Sequence, residues 1–130
     1  MQTNNRVLIV DDEMEFSETL TKMFRRRNID VDSAESCRQA IEKILVNEFD
    51  VVIMDVSMPG IDGIQCLGKV KQQWPETEVI ILTGHASIDS GIQGMKGGAF
   101  DYCLKPIDIK ELLEKIELAF EKVQITRAKK

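Results

Sequence analysis

Five short strand-like segments, each followed by a helical pattern, are the feature of this sequence that most constrains its fold. Three of them are runs of four apolar, largely β-branched residues, which is typical of strands buried on both faces. The other two alternate polar and apolar residues, as strands at a sheet edge do. In chain order the segments are 7–10, 29–33, 51–54, 79–82 and 100–104.

Between these segments, apolar residues recur at spacings of three and four, which predicts amphipathic helices. The last helix is the clearest, because Asp108 and Glu111 form a capping-box pattern ahead of an apolar stripe. The fourth, from about Ser87 to Met95, is the weakest, because it contains glycines that disfavour a helix. We therefore predict an α/β fold: a doubly wound, flavodoxin-like, five-stranded parallel sheet of order 2-1-3-4-5, with helices on both faces.

Length and composition indicate one domain. The chain has 130 residues, 43% of them hydrophobic, which suffices for a single core. We place the domain at residues 1–124, with 125–130 as a tail or the start of a linker. The net charge of -5 argues against direct binding to nucleic acid. The polar N-terminus and the short apolar runs predict a cytoplasmic protein without a membrane span.

The cysteines predict no disulfide framework. Cys37, Cys66 and Cys103 are odd in number, far apart in sequence and set among apolar or helix-forming residues. Such a pattern is typical of buried thiols rather than of a disulfide-stabilised fold. We therefore expect three reduced side chains in or near the core.

Polar residues follow four of the five predicted strands directly. Asp11 and Asp12 come after the first strand, Asp55 after the third, Thr83 after the fourth and Lys105 after the fifth. Because all strands of a parallel sheet end at one edge, these side chains should meet at the crevice where the strand order reverses. That crevice is the predicted functional site.

The acidic residues of this group predict a magnesium site. Carboxylates that share one crevice repel each other unless a cation neutralises them. Mg2+ prefers oxygen ligands, and the residues offer no imidazole or thiolate cluster that would favour zinc. We expect Asp12, Asp55 and the main-chain carbonyl of Ser57 as direct ligands, and Asp11 as a ligand through a water molecule.

The same group can accept a phosphoryl group. A carboxylate acts as a nucleophile towards phosphorus, and Asp55 lies centrally among the polar residues. The Lys105 ammonium would stabilise the charge that develops on the transferred group. The Thr83 hydroxyl would donate a hydrogen bond to a phosphoryl oxygen of the product.

These residues give the sequence a close resemblance to the receiver domains of response regulators in bacterial two-component systems. The resemblance covers essentially the whole chain. Its details are similar to receivers of the nitrogen-regulator type, which usually precede an ATPase domain and a DNA-binding domain. The motifs that carry it are Val10-Asp11-Asp12-Glu13, Met54-Asp55-Val56-Ser57-Met58-Pro59-Gly60-Ile61-Asp62-Gly63, Leu82-Thr83-Gly84-His85-Ala86-Ser87, Met95-Lys96-Gly97-Gly98-Ala99-Phe100-Asp101-Tyr102 and Lys105-Pro106.

The resemblance implies a phosphorelay signalling domain rather than an enzyme that turns over an external substrate. A histidine kinase or phosphotransfer protein would supply the phosphoryl group to Asp55, and the Lys105-Pro106 peptide is commonly cis in this family. Thr83 would then move towards the phosphoryl group while Tyr102 rotates inward. The surface of the fourth helix, fifth strand and fifth helix would change and bind a partner or a second copy. A stand-alone receiver and a piece of a longer transcriptional regulator both remain open.

Each site residue also has a plainer interpretation. Asp12 and Glu15 would make an acceptable cap for the first helix. Asp55 and Thr83 precede turn-forming residues, and an isolated Lys105 is usually a solvated lysine. His85, the single histidine, most simply lines the rim of the site. The convergence of these residues at one sheet edge favours the functional interpretation.

Three other functions are compatible with parts of the pattern. Aspartate-nucleophile phosphatases commonly carry a second acid where this chain has Ser57, and they have a cap domain for which the chain has no room. A flavin site of the same strand order would place phosphate against Asp11-Asp12-Glu13, which repels it. A degenerate receiver that acts without phosphorylation would not need the complete set of acids, hydroxyl and lysine.

Overall fold

The computed structural model describes residues 6–56, 63–84 and 88–129, with side chains described outside 88–90. Strands and helices alternate throughout, and both ends of each strand lie within one residue of the predicted bounds. The strands are β1 Arg6–Val10, β2 Asp30–Ala34, β3 Val51–Asp55, β4 Glu78–Thr83 and β5 Asp101–Leu104. The helices are α1 Met14–Arg25, α2 Cys37–Val46, α3 Gly63–Gln73, α4 Ile88–Lys96 and α5 Ile109–Ala128.

The strands form one parallel sheet of order β2-β1-β3-β4-β5, which confirms the predicted topology. Every residue of β3 and β4 is buried, whereas β5 at the edge is mostly exposed. Neighbouring strands end at the same level, since Val10 pairs with Met54 and Asp55 pairs with Leu82. This register brings the residues after β1, β3 and β4 to one edge of the sheet.

Apolar side chains of the central strands alternate between two cores, one on each face of the sheet. The face that bears Leu8, Val52 and Ile81 packs against α2 and α3. The face that bears Ile9 and Ile53 packs against α1 and α5. Because helices cover both faces, the strands read as continuous apolar runs instead of alternating ones.

The first residues of α5 and α1 show which of the side-chain caps suggested by the sequence are formed. The Asp108 side chain caps α5 by accepting hydrogen bonds from the backbone amides of Lys110 and Glu111, as the sequence pattern predicts. The alternative interpretation of Asp12 as a cap for α1 is not observed, because Glu13 occupies the cap position and makes no side-chain cap bond. Helix α5 continues without a break through Ala128. The domain boundary at residue 124 stays a prediction.

One expectation about the cysteines is wrong, because Cys37 and Cys66 form a disulfide although 29 residues separate them in sequence. The parallel topology explains the pairing. Helices α2 and α3 both start at the edge where the strands end, which brings the two Cα atoms to 5.8 Å, within the ordinary range for a disulfide. Cys103 is a free, buried thiol, as expected, and burial raises its pKa to about 11.

Gly94 of α4 has a packing role that its effect on helix stability does not reveal. A side chain at Gly94 would collide with Ile81 of β4, so this glycine lets the helix approach the sheet closely. A side chain at Gly91 would lie 3.7 Å from the ring of Tyr102. Among the described residues, no helix is both long and apolar enough to cross a membrane.

Candidate functional site

Three aspartates meet at the edge where the strands end, as predicted. Asp11 and Asp12 follow β1, and Asp55 is the last residue of β3. One carboxylate oxygen from each residue lies within 4.8 Å of those from the other two. Asp11 and Asp55 are buried at 1% and 3% exposure, whereas Asp12 is exposed to solvent. The cluster is therefore open on one side.

Lys105 lies against the same carboxylates. Its Nζ atom is 3.2 Å from Asp55 Oδ2, 3.4 Å from Asp11 Oδ2 and 3.0 Å from Glu13 Oε1. The backbone amide of Lys105 donates to the carbonyl of Thr83, which anchors the residue to β4. The Lys105-Pro106 peptide is cis, as the family resemblance implies. Lys105 thus partly neutralises the acids that surround it.

Burial and charge shift the pKa values of two groups in this crevice. Burial of Asp11 raises its pKa, and the nearby charge of Asp55 adds to the rise against opposing contributions from the Glu13 amide and Lys105. For Lys105, burial acts to lower the pKa, but the hydrogen bond to Glu13 and the charges of Asp55 and Asp11 raise it overall. The lysine is therefore a fixed positive charge at physiological pH.

Thr83 lines a groove between α4 and β5. The residue is fully buried, at 0% exposure, at the end of β4. The groove has a volume of about 410 Å3 and is mostly apolar. Tyr102, 40% exposed, forms part of its wall. Thr83 and Tyr102, the two predicted switch residues, therefore border the same groove.

Two residues at the site were not singled out by sequence reasoning. Glu13 accepts the shortest of the three bonds from Lys105, and the ring of Phe16 lies 4.7 Å from the lysine nitrogen. Glu13 was visible as the third acid of its run, and Phe16 as an apolar residue in the first turn of α1. Ser57 and His85 lie outside the described residues, so the metal-ligand role of Ser57 and the rim position of His85 stay predictions.

The carboxylate cluster fits a hard divalent cation. All its donor atoms are oxygens, which Mg2+ prefers. Mg2+ binds oxygen at ~2.1 Å, so ligands on opposite sides of the ion lie ~4.2 Å apart, and the three carboxylate oxygens lie within 4.8 Å of one another. The pKa of Asp11 is raised partly by the repulsion of Asp55, and a cation would relieve that repulsion. Asp11, Asp12 and Asp55 are the described residues that would hold it.

Comparisons of this chain with known proteins all point to one protein family. Residues 7–117 match the response regulator receiver domain. The chain is 36% identical over 112 residues to regulatory protein AtoC of Escherichia coli (strain K12), covering 86% of this chain and 24% of that protein. It is 34% identical over 119 residues to the DNA-binding transcriptional regulator NtrC of Proteus hauseri, covering 92% of this chain and 25% of that protein.

A solved structure agrees with these sequence matches. The receiver domain of the Francisella response regulator 1452 is 33% identical to this chain and superimposes with a TM-score of 0.84. The match covers 92% of this chain and 98% of the Francisella domain. The chain therefore spans a whole receiver domain, but only about a quarter of the length of AtoC and NtrC.

Proposed function

The chain belongs to the response regulator receiver domain family, whose members are the phosphoacceptor domains of two-component systems, and we propose that Asp55 is its phosphoacceptor. The donor would be the phosphohistidine of a histidine kinase or phosphotransfer protein, working in the cytoplasm. The observation that carries this proposal is the contact of Asp55 with both a lysine ammonium and a carboxylate pair. The likeness to AtoC and NtrC supports the nitrogen-regulator subtype.

The site residues divide the chemistry among them. One oxygen of Asp55 attacks the phosphorus of the donor, and the donor imidazole leaves as the new aspartyl-phosphate forms. Lys105, 3.2 Å from Asp55 Oδ2, is placed to stabilise the negative charge of the transferred group. The Thr83 hydroxyl then donates a hydrogen bond to a phosphoryl oxygen of the product. Mg2+, held directly by Asp12, Asp55 and the carbonyl of Ser57 and through a water molecule by Asp11, would neutralise charge on the phosphoryl oxygens.

Thr83 and Tyr102 would couple phosphorylation to the surface. Both border the groove beside α4, so movement of the hydroxyl towards Asp55 leaves space that the aromatic ring can fill. The surface beside this groove bears partly exposed apolar side chains from α4 and β5, among them Ile92, Met95 and Leu104. Such a patch suits a protein partner or a second copy of the domain.

The direct test is treatment of the protein with acetyl phosphate and Mg2+. Intact mass should show one added phosphoryl group per chain, and size measurement on the same samples would detect dimerisation through α4, β5 and α5. A protein that gains no phosphoryl group would instead fit the degenerate receiver. Sustained hydrolysis of a phosphate ester, far beyond one equivalent, would favour a phosphatase.

The Lys105→Ala variant should still be labelled by acetyl phosphate, but more slowly by on the order of 100-fold, the loss typical when one charge-stabilising group is removed. It should also fail to transmit the change to α4. Labelling is followed by mass, and transmission by amide exchange in α4 before and after labelling. The exposed Lys110→Ala variant is the control and should match the unmodified chain. Unchanged kinetics in Lys105→Ala would remove the lysine from the mechanism.

Helix α4 should exchange its amide protons faster than α1 and α5 in the unphosphorylated protein. A switching element is expected to have low local stability, so that small differences in contact energy shift its population. The interior glycines Gly91 and Gly94 support this expectation. Hydrogen exchange followed by mass spectrometry of peptides measures it. Equal protection of the three helices would count against α4 as the mobile element.

The whole protein's output is a separate proposal. Relatives of this subtype are transcriptional regulators, and NtrC is described as DNA-binding. We infer that this domain controls such an output through protein contacts, since its own net charge is -5 and a strongly basic nucleic-acid surface is not expected. The cognate kinase and the output partner would be identified by phosphotransfer assays with purified kinases.

A further inference from the structure

We propose that Cys37 and Cys66 are a redox-controlled clasp that adjusts phosphoryl uptake at Asp55. The disulfide joins the first turns of α2 and α3, beside the phosphoacceptor site. This proposal rests on the proposed function, because it concerns the regulation of the same aspartate. Disulfides in cytosolic proteins are uncommon and are usually transient, catalytic or redox-sensing.

On the α3 side, the clasp is connected to the acceptor strand. Cys66 lies three residues after Gly63, so both face the same side of the helix. Gly63 packs so closely on the end of β3 that an added Cβ would lie 2.6 Å from the Asp55 carbonyl oxygen and would collide with the Val56 backbone. A change in the position of the first turn of α3 would therefore shift the backbone at Asp55.

On the α2 side, the clasp is connected to the acidic pair. The turn before α2 is joined to the site by a hydrogen bond of 3.0 Å from the Asp11 amide to the Ala34 carbonyl. Cys37 begins the helix three residues later, directly after its cap residue Ser36. The disulfide thus completes a closed path of backbone and side-chain contacts from Asp11 through α2 and α3 to Asp55.

The redox step involves only this pair and a low-molecular-weight thiol such as glutathione. In reduction, the bond between the two Sγ atoms breaks, and two glutathione molecules supply two electrons and two protons. Cys37 and Cys66 become thiols, and the two glutathiones leave as glutathione disulfide; oxidation is the reverse. Cys103 does not compete, because it lies in the core on the opposite face of the sheet. Cys37 is 5% exposed and Cys66 is fully buried, so we expect exchange to begin at Cys37.

The oxidised clasp should slow phosphoryl uptake. For transfer to occur, the site must admit a phosphoryl group beside Asp55 and Lys105, whose side chains lie 3.2 Å apart, so the elements that carry the acceptor must adjust. A crosslink between the helices that flank β3 restricts that adjustment, and reduction of the disulfide releases it. Two coupled sites typically influence each other by ~5-fold or more, and we expect a difference of at least that size.

The test uses the full chain equilibrated with glutathione disulfide or with reduced glutathione. Alkylation followed by mass measurement counts the free thiols in each form, and acetyl phosphate with Mg2+ measures the rate of labelling. We expect two more reactive thiols after reduction, counted under denaturing conditions, and labelling ~5-fold faster in the reduced form. The Cys37→Ala, Cys66→Ala double variant should label at the reduced rate under both conditions.

Failure of this inference can be told apart from failure of the proposed function. A pair that stays reduced in glutathione disulfide, or equal labelling in the two forms, would overturn the clasp while leaving Asp55 as the acceptor. If neither form is labelled, the proposed function fails. Amide exchange at Asp11 and Val56 then tests separately whether the disulfide restrains the backbone beside Asp55. Slower exchange in the oxidised form supports this restraint, and equal exchange overturns it.

Discussion

Replacement of Asp55 by asparagine is expected to abolish phosphoryl uptake from acetyl phosphate. The amide has nearly the shape of the carboxylate, but it lacks the negative charge and the nucleophilic oxygen that attack on phosphorus requires. It also leaves Asp11 and Lys105 in contact, at 3.4 Å. Intact mass after treatment with Mg2+ and acetyl phosphate should therefore show only the unmodified chain.

The loss in Asp55→Asn should not arise from unfolding. The substitution removes one of the like charges beside Asp11, whose pKa the charge of Asp55 helps to raise, so urea unfolding should reveal no loss of stability. Asp32→Asn is the matched control, since this exposed carboxylate pairs with Lys43 on the β2 edge and lies outside the site. It should be labelled normally. Labelling of Asp55→Asn to the same extent would place the acceptor elsewhere.

Replacement of Gly63 by alanine is expected to lower the free energy of unfolding by about 1 to 3 kcal/mol or more, the usual cost of overpacking. The added methyl group would meet backbone at the end of β3, at the Val56 Cα and at 2.6 Å from the Asp55 carbonyl oxygen. Neither can give way by rotating a side chain, so α3 or the end of β3 must shift. Labelling at Asp55 should slow as well, because the acceptor strand moves.

Gly68→Ala on the same helix provides a control of opposite sign. Gly68 is exposed and lies in the interior of α3, and a Cβ there would meet nothing within 4 Å. Alanine should therefore raise the free energy of unfolding by about 1 kcal/mol, because it has the better helix propensity. Urea denaturation of the two variants, compared at constant m-value, measures both effects. A Gly63→Ala protein as stable as Gly68→Ala would show that the contact at β3 is not restrictive.

Much of the fold was predictable because the informative signals are local. Buried strands of a parallel sheet are apolar along their whole length, so the runs at 7–10, 51–54 and 79–82 stood out without any knowledge of their partners. The cap at Asp108 was likewise visible, since it depends on residues within one turn. The plainer alternative, in which Asp12 caps α1, is not observed: Asp11, not Asp12, accepts a hydrogen bond from the Glu13 amide.

The contacts that sequence reasoning missed are all between residues far apart in the chain. The Cys37–Cys66 disulfide and the Glu13–Lys105 pair join elements that are separated by 29 and 92 residues. The spacing of such residues carries no periodic signal, and odd cysteine number pointed away from a disulfide. The close approach of Gly63 to the end of β3 depends on the distance between α3 and the sheet. The sequence alone does not reveal that distance.

The sequence by itself determined the alternation of strands and helices, the strand order and the identity of the residues that gather at the strand ends. It could do so because burial and chain connectivity act through local pattern and through a general rule of parallel sheets. Only the tertiary structure decided which residues lie in contact: Lys105 beside three acids, Gly63 against the acceptor strand, and Cys37 bonded to Cys66. Those contacts depend on how closely the layers pack, and packing distance is a property of the assembled layers rather than of any one segment.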